Sequence, residues 1–178
     1  MKKRKGGRLI PLFLLLIATL SLCYERYQAR DHIEPNASVI NVSDGDTFRA
    51  IMEGEEKRIR LSDIDCPERG QDFGSKARRY AHERLMGKQI HIRVDGTDQY
   101  GRILGTVILE DGVNLNEDLV KNGLAWRYLY SSNQRISDYE QEARAEKKGL
   151  WSLKEPMAPW EFRKNKRFKN TREKHVKR

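Results

Sequence analysis

Arg60, Asp65 and Glu68 fall within the nine-residue stretch Arg60-Leu-Ser-Asp-Ile-Asp-Cys-Pro-Glu68. A guanidinium grips a phosphate with two hydrogen bonds, one carboxylate holds a hard cation, and a second handles a proton. Those are the parts needed to cut a phosphodiester. Read alone, the stretch is better explained as a strand-end turn whose Asp and Pro serve only backbone geometry, since both are common turn residues. Two other segments alter that balance. Asp44-Gly-Asp-Thr47 lies upstream and adds carboxylates, and Asp98-Gln-Tyr-Gly-Arg102 lies downstream and adds a second arginine beside a tyrosine.

In this order and at these separations, the three segments resemble the thermonuclease family, calcium-dependent nucleases of the staphylococcal nuclease type. The resemblance runs from about Val39 to about Trp151. It implies that Asp46 and Asp65 are the carboxylate ligands of one Ca2+, joined by the backbone carbonyl of Cys66, with Asp44 behind them orienting bound water. It implies that Arg60 and Arg102 grip the scissile phosphate, and that Glu68 takes the proton from the attacking water or positions it. Tyr100 matches a pocket tyrosine near the nucleotide, although packing beside its turn explains it as well. Cys66 stands where the family's best-known member has threonine, a departure that a main-chain ligand should tolerate. The loop Arg69–Ser75 is short where the archetype carries a longer lysine-rich one, and the approach to Tyr100 is shortened too. Affinity and base preference are therefore not carried over.

The activity implied is hydrolysis of DNA and RNA to 3′-phosphate ends. The competing expectation is a non-catalytic module of the same barrel that holds nucleic acid or peptides. Such modules lose the arginines or the carboxylates, and this chain keeps Asp46, Arg60, Asp65, Glu68 and Arg102.

At 178 residues, one domain with extensions at both ends is expected, acting as a monomer. The net charge of +9 divides unevenly. Residues 1–24 carry five basic residues and no acidic ones (+5), residues 25–153 carry 20 and 23 (−3), and residues 154–178 carry ten and three (+7). The body is thus mildly acidic between basic ends, which excludes a uniformly basic nucleic-acid-binding surface. Two cysteines, Cys23 and Cys66, offer no metal spacing, and the four histidines are scattered. A zinc site is not expected; carboxylate oxygens suit a hard cation.

The five early basic residues precede an apolar run from Leu9 to Tyr24, the plan of an export signal. We expect residues 1–24 to be a signal peptide or an N-terminal membrane anchor, placing the protein in the cell envelope or outside the cell. Residues 25–37, polar and containing Pro35, read as a linker. Residues 38–153 form the expected nuclease-like domain, and residues 154–178 a basic tail.

The elements that must position the chemistry follow from periodicity and turn residues. Val39–Val42 and Thr47–Met52 read as a hairpin about Asp44-Gly45, followed by a third strand over Arg58–Ile64 ended by Pro67. Ser75 is placed to cap a helix to Met86, with Ala77, Tyr80, Ala81 and Leu85 as its apolar face. A fourth strand covers Gln89–Asp95, turning at Asp95-Gly96, and a central fifth covers Arg102–Leu109. Asn116 is expected to cap a helix over Glu117–Asn122, and Ser137 with Glu140 to box the start of one ending at Gly149. Five strands and about three helices give an α+β fold dominated by a five-stranded oligonucleotide-binding barrel, the fold the resemblance also implies. In the tail, Trp160 and Phe162 are expected to pack on the barrel, and the chain beyond Arg163 to be disordered.

Overall fold

The computed structural model describes residues 35–176, with side chains to Phe168; the expected signal or anchor, and the linker before Pro35, lie outside the described residues. Strand β1 (Ala37–Val42) pairs antiparallel with β2 (Thr47–Met52), which pairs with β3 (Glu55–Leu61). Strand β5 (Gln89–Thr97) pairs antiparallel with β6 (Ile103–Ile108). The barrel closes through β1 against β5 and through β3 parallel to β6, giving the order β1-β2-β3-β6-β5. This is the five-stranded closed barrel that the hairpin signals predict.

Among the described residues, four α-helices accompany it, α1 (Gly74–Leu85), α2 (Leu115–Lys121), α3 (Gln134–Ala145) and α4 (Pro159–Val176), with a short 3-10 turn over Gly149–Ser152. Period two places Phe48 and Ala50 of β2, Ile59 and Leu61 of β3, and Ile90 and Ile92 of β5 inside, where all are buried. Helix α1 adds Ala77, Ala81 and Leu85 to the same core, and α2 adds Leu115, Leu119 and Val120. Tyr80 is only half-buried and spends its hydroxyl on Asp118, at 2.6 Å.

Several local expectations are corrected. The third strand begins earlier and breaks at Ser62-Asp63, where Asp63 takes φ 65°, before a two-residue strand β4 (Ile64–Asp65) pairs with β7 (Trp126–Arg127). Asp63 tolerates that conformation because its carboxylate is held by Ser131 (2.7 Å) and Asn133 (2.9 Å). Asp95-Gly96 is a bulge inside β5; the turn comes later, at Asp98–Gly101.

Three caps are misplaced by sequence. Helix α1 starts behind Phe73 with no side-chain cap from Ser75. Helix α2 is capped by Asn114, and Asn116 is instead buried, bonding the backbone of Val107, Ser62 and Gly105. Helix α3 is capped by Asn133, and Glu140 accepts from the Arg127 amide. The tail is also corrected, since α4 continues well past Arg163. Among the described residues, no helix is long and apolar enough to cross a membrane.

Candidate active site

Arg60 projects from a strand fixed on both sides. Ile59 and Leu61, its neighbours in β3, are fully buried in the core, and each such burial contributes ~1.5–3 kcal/mol to holding the strand in place. Arg60 itself points outward at the barrel mouth. Its guanidinium donates to the carbonyls of Leu61 (3.2 Å) and Ile64 (3.0 Å) and to Asp65 Oδ1 (2.9 Å), and it lies 3.6 Å from Asp46 Oδ2. Burial, which disfavours the charged guanidinium, is the largest influence on Arg60, but Asp46 and Asp65 outweigh it and hold its pKa above the ordinary value.

The two aspartates arrive from different turns. Asp46 immediately precedes β2, and its backbone carbonyl accepts from the Leu61 amide (2.9 Å), locking the Asp44–Asp46 turn onto β3. Its carboxylate accepts from Thr47 Oγ1 (3.1 Å) and from the backbone amide of Cys66 (2.9 Å). That second bond ties the Asp46 turn to the segment carrying Asp65. Gly45 permits the approach: a Cβ there would come within 2.8 Å of Cys66 Cβ and Sγ. The Cys66 side chain is therefore packed inside, its thiol pushed well up by burial and then by the charges of Asp46, Asp44 and Asp65. Asp44 accepts from the Asp46 amide (3.2 Å), and burial followed by the charge of Asp46 raises its pKa to about 7.

Glu68 sits beyond Pro67 in a loop that Gln71 folds. Gln71 Oε1 accepts from the Glu68 amide (3.0 Å), and the Gln71 amide donates to the Glu68 carbonyl (3.0 Å). Gly74 passes so close that a Cβ there would lie 2.0 Å from that carbonyl. Residues Arg102 and Tyr100 come from the turn before β6. Because β6 runs parallel to β3 with Leu104 opposite Arg60, Arg102 is two residues earlier and shares the face of Arg60. Its guanidinium is paired with Asp98 at 2.7 Å and lies 5.7 Å from the Tyr100 ring centroid. Tyr100 is 71% exposed, so packing is not what holds it.

One cleft of about 860 Å³ contains all of these groups except Cys66. Within it Arg60, Asp46 and Asp65 meet directly, whereas Arg102 and Tyr100 stand on the rim, engaged with their own turn. Tyr128 and Tyr130, in edge contact at 5.6 Å, and Arg163 also line the cleft, and sequence reasoning passed over all three.

Arg163, on α4, donates to Asp65 Oδ2 (2.8 Å), Asp65 Oδ1 (3.2 Å) and Glu68 Oε1 (2.7 Å). Its delivery is built from the residues beneath it. Asp65 pairs with Trp126 across β4 and β7, Trp126 stacks edge-on with Trp160 (5.6 Å), and Arg163 follows Trp160 by one helical turn. The signal in the sequence was the apolar Trp160: once it docks, the residue three positions on shares its face.

The carboxylates present are oxygen donors, and Asp44, Asp46, Asp65 and Glu68 outnumber the guanidinium groups of Arg60 and Arg163 set among them, which fits a hard cation at Asp46 and Asp65. Among the described residues no three side chains of metal-ligating type group to hold an ion, so main-chain and water oxygens would have to complete the set.

Comparison with known proteins identifies the scaffold. A family model described as staphylococcal nuclease homologue matches residues 58–153, which span Arg60, Asp65, Glu68 and Arg102. The chain belongs to the staphylococcal nuclease family.

This nuclease is 35% identical over 158 residues to an uncharacterized endonuclease of Escherichia coli, covering 88% of the present chain and 97% of that one. It is 34% identical over 137 residues to a micrococcal nuclease of Shigella flexneri, covering 71% and 79% of the two chains. A staphylococcal-like nuclease of Arabidopsis thaliana is 40% identical over 114 residues, which span 64% of this chain and 35% of the plant protein. The barrel is thus that of a hydrolase acting on nucleic acid, and the expectation of a non-catalytic module is set aside.

Proposed function

We propose that this nuclease hydrolyses phosphodiester bonds of DNA and RNA with one Ca2+ held at Asp46 and Asp65, and that it leaves 3′-phosphate ends. The observation that supports this most is the junction of Arg60, Asp46 and Asp65 at the floor of a cleft that also contains Glu68. Calcium, when bound to the two carboxylates and the Cys66 carbonyl, supplies positive charge against the phosphoryl oxygens. Asp44 lies behind these ligands and orients bound water.

The remaining roles belong to side chains of the chain itself. Arg60 keeps its bonds to Asp65 and to the two carbonyls and offers its remaining N–H groups to a phosphoryl oxygen, and Arg102 exchanges its local partner Asp98 for another. Together they stabilise the charge that grows on the phosphorus centre as water attacks. Glu68 accepts the water's proton, and departure of the 5′-oxygen leaves the phosphate on the 3′ side. Tyr100 contacts the nucleotide at the rim. The apolar run at Leu9–Tyr24 supports export, as a cleaved signal or a retained anchor, with nucleic acid outside the cytoplasm as substrate.

Plasmid DNA incubated with the protein should be cut in calcium and left intact in a chelator. Glu68→Gln keeps the shape of the side chain and removes its proton affinity, so turnover should fall by ~10² or more while substrate binding persists. Turnover near that of the wild type would remove Glu68 from the role of base.

A further inference from the structure

Two guanidinium groups fill both carboxylate oxygens of Asp65, and they are held in different ways. Arg60 belongs to the barrel wall, its side chain 13% exposed, and it cannot leave Asp65 without also abandoning the carbonyls of Leu61 and Ile64 and its neighbour Asp46. Arg163 belongs to the arm that ends the described structure. Its side chain is 36% exposed, and its fork is spent on Asp65 and Glu68.

The arm is anchored independently of that fork, by Trp160 against Trp126 and by the Met157 carbonyl, which accepts from Gln71 Nε2 (2.7 Å). The Arg163 side chain can therefore swing away while α4 stays docked.

A divalent cation at Asp65 would compete for the same carboxylate and carries the same sign as the guanidinium that covers it. Two guanidiniums and a divalent ion cannot crowd one carboxylate without strong repulsion. The group that yields is the one with the fewest other ties. We infer that Arg163 is an exchangeable internal cation, which clamps Asp65 to Glu68 until a divalent cation binds and then gives up Asp65 to it. This deepens the reading of Asp46 and Asp65 as cation ligands and rests on it.

The clamp holds two carboxylates together that would otherwise repel, and it lowers the apparent affinity for the ion by the population of clamped molecules. The C-terminal arm thereby becomes part of the site: removing it should bind the ion more tightly, not less.

The test is a calorimetric titration of calcium chloride into the full chain in mild detergent, without nucleic acid, for the wild type, Arg163→Met and Arg163→Lys. Arg163→Met should bind calcium ~10-fold more tightly than the wild type, with Arg163→Lys between them, since lysine keeps the charge but loses the fork. Melting curves give a second readout. Arg163→Met should melt below the wild type in chelator, and the gap should close at saturating calcium, because the clamp is then open in both. Equal or weaker calcium binding by folded Arg163→Met, alongside normal binding by the wild type, overturns the exchange alone. Absence of calcium binding in all three proteins overturns both the exchange and the metal reading beneath it.

Discussion

Arg60 and Arg102 reach one cleft from neighbouring strands, yet one is built into the barrel and the other into a turn. Arg60 has two core residues beside it, two backbone carbonyls to bond and two aspartates to neutralise it. Arg102 has Asp98, four residues earlier, which also accepts from the amides of Tyr100 (2.8 Å) and Arg102 (3.0 Å). The Asp98 carboxylate is held below its usual range, with burial opposing and the hydrogen bonds from this turn prevailing. The first arrangement fixes a charge where it is wanted before substrate arrives. The second stores an arginine in a self-contained turn that gives it up at little cost to the fold. Under the proposed function, one arginine of each kind at a phosphate would separate positioning from adjustment, and the contrast makes distinct demands on mutants.

The largest effect is expected at Arg60. Arg60→Ala leaves Asp65 and Asp46 buried with less compensation, so stability should fall by ~3–5 kcal/mol as activity is lost, as when one partner of a buried pair is removed. Denaturant melts alongside turnover assays check both. Arg60→Lys should restore part of the stability and little of the turnover, because an ammonium cannot span Asp65, two carbonyls and a phosphate.

Arg102→Gln comes next. Turnover should drop by ~10² while stability stays within ~0.5 kcal/mol of the wild type, because its partner Asp98 keeps two backbone donors. Loss of stability at Arg102 equal to that at Arg60 would dissolve the distinction between the two halves.

A smaller effect is expected from Asp44. Its carboxyl titrates near 7 in the folded chain and near 3.8 when free, so the folded state favours the protonated form. The stability this gives is complete below the unfolded value and is lost as pH rises through the folded one. In chelator, the wild type should lose stability between about pH 4 and pH 7, and Asp44→Asn should flatten that slope. An unchanged slope would mean that another group titrates there.

Sequence disclosed the barrel and most of the charged cleft because both depend on local pattern. Thr47–Met52 alternates and is bounded by turn residues, and the observed strand has those limits. Asp46, Arg60 and Asp65 lie close in the chain, so one hairpin and one turn bring them together. Tertiary contacts decided what was missed. Asn116 resembles a cap, but the gap between β6 and the Ser62 turn demanded a buried amide, and Asn114 took the cap. The strand read through to Ile64 was cut at Asp63 by partners at Ser131 and Asn133, far along the chain. Arg163 is separated from Asp65 by 98 residues and could be found only by docking Trp160 first.

The central claim is that Asp46 and Asp65 hold the cation on which cleavage depends. Melting temperature as a function of calcium, in the wild type, Asp46→Ala and Asp65→Ala, tests it most directly, since an ion bound only by the folded form stabilises it by mass action. The account predicts a melting temperature that climbs with calcium in the wild type and stays flat in both variants. A calcium-dependent rise in the two variants matching that of the wild type would place the ion elsewhere and contradict it.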